Sequence, residues 1–82
     1  MKKEAQHFRT FDLNLAAVLL ANGFILDEVQ KNPSGKSLFI FDESEALAKL
    51  IDKYWKGTLK MNPQDVFASL KVIKNRLYSS YS

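Results

Sequence analysis

Cysteine is missing from the 82 residues, so disulfides, thiolate metal sites and cysteine nucleophiles are all excluded. Histidine occurs once, as His7, with no orienting acid beside it in sequence. A histidine base needs such an acid and a substrate or nucleophile nearby, so a solvated or strand-edge role is expected for it. Long hydrophobic runs are absent as well. The longest uncharged stretch, Leu13 to Leu26, is too short for a membrane span and is interrupted by Asn22-Gly23. Met1-Lys2-Lys3-Glu4-Ala5-Gln6-His7 is basic but has no apolar run behind it, unlike a signal peptide. Together these absences lead to the expectation of a soluble, cytoplasmic protein with no membrane partner.

The chain has the composition of one globular domain spanning 1–82, with 46% hydrophobic and 26% charged residues. Its ends, 1–6 and 79–82, are expected to fray. The net charge of +3 is unevenly placed. Residues 1–57 balance to zero, whereas residues 58–82 carry Lys60, Lys71, Lys74 and Arg76 against Asp65 alone. An electrostatic footprint is therefore to be sought on the last element.

The best-specified segment is Leu13 to Ala21, apolar almost all round. Leu13, Ala16, Ala17 and Leu20 share one helix face, and Leu15, Val18 and Leu19 share the opposite one. Asp12 is its expected N-cap and Asn22-Gly23 its stop. A helix with no polar side has to be covered on several sides, which places it at the centre of the domain. Before it, His7 to Phe11 alternates as a short strand. After it, Phe24 to Gln30 and Ser37 to Phe41 read as two strands joined through the turn Lys31-Asn32-Pro33-Ser34-Gly35-Lys36. Asp42 is the expected cap of the next helix, with Glu45 three positions on. Leu47, Leu50, Ile51 and Tyr54 form that helix's buried stripe, Trp55 lies at its edge and Gly57 ends it. Thr58 to Met61 is a linker or a very short strand. Asn62-Pro63-Gln64-Asp65 opens the last helix, with cap, Pro at N1 and acid at N3. Val66, Leu70, Ile73 and Leu77 are its buried stripe. The expected class is α+β: a small antiparallel sheet, made of a hairpin plus the N-terminal strand, packed with three helices in the order β-α-β-β-α-(β)-α.

Few residue patterns suggest chemistry. Gly35-Lys36-Ser37 matches the end of a P-loop, but Gln30 stands where the first glycine is required, and a hairpin turn explains the tripeptide. Asp27-Glu28 and Asp42-Glu43 with Glu45 are the acidic clusters. Neighbouring strand residues such as Asp27 and Glu28 point to opposite faces, and Asp42 is assigned to a cap, so no metal site is expected there. No catalytic residue, no cofactor and hence no enzymatic activity are expected. Lys31 and Lys36 flank the hairpin tip, as surface lysines at turns often do.

One pattern on the last helix is more informative. With Val66 at 0°, Lys74 falls at about 80°, Phe67 at about 100°, Tyr78 at about 120° and Lys71 at about 140°. Two cations and two aromatics share an edge beside the buried stripe, while Arg76 lies at about 280°, away from it. Cations that pair with phosphates and rings that stack on bases suit nucleic acid, with Lys60 extending the patch. Two competing accounts exist: lysine stems lying along rings at the margin of a core, and a protein-binding face built from Trp55, Phe67 and Tyr78. The second would make the chain an adaptor or inhibitor of a host protein, or a homodimer.

The runs Phe8-Arg9-Thr10-Phe11-Asp12-Leu13, Leu15-Ala16-Ala17, Leu19-Leu20-Ala21-Asn22-Gly23-Phe24 and Phe39-Ile40-Phe41-Asp42 resemble a family of small domains from phages and prophages of Gram-positive bacteria. The resemblance extends over residues 8–78. It implies a mobile-element setting and an accessory binder or regulator, and it brings no activity and no site residues with it.

Overall fold

Six elements follow one another along residues 6–79, the part of the chain that the computed structural model describes. They are β1 (His7–Thr10), α1 (Leu13–Ala21), β2 (Leu26–Lys31), β3 (Ser37–Asp42), α2 (Glu45–Lys56) and α3 (Pro63–Ser79). The strands form one antiparallel sheet in the order β1-β3-β2, so the fold is α+β with three helices on a three-stranded sheet. Residues 58–62 join α2 to α3 without a strand. Of the ends expected to fray, 1–5 and 80–82 lie outside the described residues. Gln6 accepts a hydrogen bond from the Glu43 amide at 3.0 Å, and Ser79 is the last residue of α3.

α1 begins where expected. The Leu15 amide donates to Asp12 Oδ1 at 3.1 Å, satisfying one of the helix's free amides. Its end is a Schellman motif: the Gly23 amide donates to the Leu20 carbonyl and the Phe24 amide to the Leu19 carbonyl, with Gly23 at φ 91°. That motif corrects the expected start of β2. Phe24 closes the turn and packs half-buried against the core, so the strand starts only at Leu26. Ile25 between them is exposed.

Every residue from Leu15 to Leu19 is buried. Phe39 and Phe41 from β3, Leu26 from β2, Leu47 from α2 and Ile73 from α3 close around this helix. Burying each of these large side chains is worth about 1.5–3 kcal/mol. Strand alternation divides the sheet into two faces. Phe8, Phe41 and Leu26 are cross-strand partners in one row facing the helices. Arg9, Ile40 and Glu28 make the next row, on the opposite face, where Ile40 is buried between two charged neighbours.

The cap of α2 is also corrected. Asp42 remains in β3 as the partner of His7, and the Glu43 amide is held by Gln6. Ser44 is the first residue free to turn; its hydroxyl accepts from the Leu47 amide at 3.1 Å. Gly57, at φ 73°, ends α2 as expected. Tyr54 joins α2 to the start of α1. Burial raises its phenol pKa above the usual value, and the Asp12 carboxylate adds to the effect. At α3 the Gln64 amide donates to Asn62 Oδ1 at 2.9 Å, the cap expected ahead of Pro63. The β2–β3 connection is an ordinary turn, closed by Gly35 N–H to the Asn32 carbonyl at 3.0 Å.

Candidate functional site

α3 packs on α1 through Val66, Leu70, Ile73 and Leu77, with Ser69 buried beside them. That contact uses one side of the helix only. Phe67 is 61% exposed and Tyr78 68% exposed, and Lys71 and Lys74 between them are exposed too. All four lie on the edge the helical wheel assigns them. The spacing from Phe67 to Tyr78 corresponds to about 16 Å along the axis at the usual helical rise. Asp65, the acid of the first turn, falls at about 260° on the wheel and so leaves this edge uniformly cationic. Lysine stems tucked along rings at a core margin would have left the rings covered, and here they are open to solvent.

Lys60 is exposed in the 58–62 connection, three residues before α3. Trp55, the other aromatic singled out by the sequence, is 66% exposed. Its ring meets that of Tyr54 edge-on, with centroids 4.9 Å apart, so one aromatic is half-buried in the core and holds the second outward. Arg76 points away from the lysine edge, as expected, and has work of its own. Its guanidinium donates to the Leu26 carbonyl at 2.7 Å and to the Asp27 carbonyl at 3.2 Å, tying α3 to β2.

The sheet brings together a second group of polar residues that linear spacing could not reveal. His7 pairs with Asp42 across β1 and β3. In β2 the register slips between Leu26 and Glu28, so Asp27 is the extra residue of a bulge. Bulging overturns the expectation that Asp27 and Glu28 face opposite ways. Glu28 lies in the outer row beside Ile40, and Asp27 Oδ2 approaches His7 Nε2 to 3.5 Å on that same face. Asp42 Oδ1 is 3.6 Å from the same nitrogen. His7 therefore has two carboxylates beside it, contrary to the reading from sequence, and Asp42 is a strand residue at this cluster rather than a helix cap.

Two shallow hollows border α3. One is lined by Phe11, Leu13, Phe39 and Leu77 with Lys36 and Ser37, the other by Leu20, Phe24, Ile25, Leu26 and Val72 with Arg76. Both are mainly apolar and open. Among the described residues, no helix is long and apolar enough to cross a membrane.

The chain belongs to the DUF5659 family, a domain of unknown function, whose family model matches residues 5–79. No curated protein and no solved structure matches it.

Proposed function

We propose that this DUF5659 domain is a small, non-enzymatic cytoplasmic protein that binds nucleic acid through the outward edge of α3. Lys71 and Lys74 neutralise phosphates, Phe67 and Tyr78 stack on unpaired bases, and Lys60 extends the cationic track at the helix start. The single observation that supports this most is the exposure of both rings on either side of the lysine pair. Rings open to solvent beside cations offer faces on which unpaired bases can stack. Lys60, Lys71 and Lys74 also make up the whole +3 excess of residues 58–82, since Arg76 and Asp65 cancel, so the same edge supplies long-range attraction for a polyanion. A phage or prophage setting belongs to this proposal and rests on the family resemblance in residues 8–78.

Magnitudes set the expectation for the test. Two phosphate contacts to a single strand give a log–log salt slope of about −1.4. A fourfold rise in salt then weakens binding about sevenfold. Each stacked ring contributes about 1–3 kcal/mol. Binding of fluorescent single-stranded DNA and RNA is to be measured across salt for the wild type and for Lys71→Ala/Lys74→Ala. The double variant should fold normally and lose both the affinity and most of the slope. Binding that ignores salt, or persists undiminished in the double variant, overturns the proposal.

A second reading is favoured by Trp55, whose exposed ring is braced by Tyr54. An adaptor or inhibitor of a host protein, or a homodimer, would use Trp55 with Phe67 and Tyr78 as anchors. Sedimentation and partner capture that depend on Trp55 and are unaffected by nuclease separate this reading from the first.

A further inference from the structure

We infer that His7, Asp27 and Asp42 form a divalent transition-metal site on the solvent face of the sheet, best matched to Zn2+. Each of the three strands contributes one residue. Among the described residues these three offer one nitrogen and two carboxylate oxygens, all within 4.8 Å of one another. The separations are informative. His7 Nε2 lies 3.5 Å from Asp27 Oδ2 and 3.6 Å from Asp42 Oδ1. A good direct hydrogen bond would bring such atoms to about 2.7–3.2 Å. Ligands about 2.0–2.1 Å from a tetrahedral Zn2+ stand about 3.4 Å from each other, close to both separations from the imidazole, and the two carboxylate oxygens lie within 4.8 Å of each other. Octahedral Mg2+ needs edges of about 2.9 Å and prefers oxygen throughout.

The backbone supports the arrangement independently of the side chains. Leu26 faces the helices, so Asp27 next to it turns to the outer face that carries His7 and Asp42, and the bulge keeps Glu28 on that face as well. Arg76 fixes that irregular segment by binding the carbonyls of Leu26 and Asp27. Two carboxylates held near one imidazole repel each other unless a cation lies between them, and a dication cancels the charge of both. One imidazole with two carboxylates favours Zn2+ over Mg2+ and Ca2+ by ligand type. All three side chains are partly open to water, so the fourth position is available to solvent. This site stands apart from the α3 edge, and neither proposal depends on the other.

Untagged protein is to be titrated with ZnCl2 by calorimetry, with imidazole 15N shifts recorded in parallel. Saturation at one equivalent is expected, with Nε2 as the shifted nitrogen. His7→Ala and Asp27→Asn should each weaken binding by at least about tenfold, since even residues that only support metal ligands cost that much. Zn2+ at a hundredfold excess over Kd should raise the Tm of the wild type by on the order of 10 °C. Asp27→Asn keeps the shape of an exposed side chain, so it tests the site even if His7→Ala disturbs β1. No saturable Zn2+ binding, equal binding by wild type and both variants, or ligation without a change at Nε2 each overturns the inference.

Discussion

α1 and α3 are the two helices most directly packed together, and they are built on opposite terms. α1 has no charged residue from Leu13 to Ala21 and buries everything from Leu15 to Leu19. α3 buries a stripe centred on Ile73 and leaves Phe67, Val72 and Tyr78 in solvent. In α1 packing explains the apolar side chains, and Asn14 is the one residue of the helix left exposed. In α3 packing explains the stripe and says nothing about the aromatic and cationic edge. Residues that cost solubility without contributing to the core are the ones to test for function.

Stability measurements can break this contrast most directly. Leu19 is fully buried, and Leu19→Ala should cost about 2–5 kcal/mol by denaturant unfolding. In a domain of this size that removes much of the folding free energy. Phe67→Ala should move stability by no more than about 0.5 kcal/mol while weakening nucleic-acid binding. If Phe67→Ala destabilises the fold as Leu19→Ala does, α3 is a scaffold helix like α1 and its edge has no claim to function.

The next effect is smaller and tests where α2 begins. Ser44→Ala removes the hydroxyl that accepts the Leu47 amide and should cost about 1 kcal/mol. Asp42→Asn should cost almost nothing in metal-free buffer, because Asp42 caps no helix. A loss on Asp42→Asn equal to that on Ser44→Ala would restore the cap to Asp42 and remove it from the cluster with His7.

The same pair shows how much the sequence could reveal. α1 is legible because all its signals are local: Asp12 at its cap, Gly23 at its stop and apolar residues at every position but Asn14. The α3 edge was legible as an angular pattern, but its exposure depends on how much of α3 the neighbouring α1 covers. Phe24 resembles the first residue of β2 in sequence, because an aromatic just after the glycine of a Schellman turn has the look of a strand start. Asp42 has the local signature of a cap, while its retention in β3 depends on His7 and Gln6, far away in sequence. The cluster of His7, Asp27 and Asp42 was the least legible feature. It needs the strand order β1-β3-β2, which puts three residues far apart in sequence on one face of the sheet. Arg76 was correctly placed off the lysine edge, while its carbonyl partners in β2 could not be anticipated.

The smallest effect concerns the junction between the fully buried helix and its more exposed neighbours. Tyr54 of α2 has a phenol pKa raised first by burial and then by the Asp12 carboxylate that caps α1. A raised value means that the neutral phenol is favoured in the folded state. Stability from this group is therefore fully present below the unfolded value of about 10 and is lost as pH rises through the folded value. The informative quantity is the difference between wild type and Tyr54→Phe, which isolates this one group. Phenylalanine keeps the ring contact with Trp55 and removes the ionisable group. The two proteins should match in stability near neutrality, and the variant should hold its stability further into alkali. Parallel alkaline profiles would mean that Tyr54 is not buried beside Asp12 when folded, so that α2 docks less closely on the start of α1 than its half-buried stripe requires.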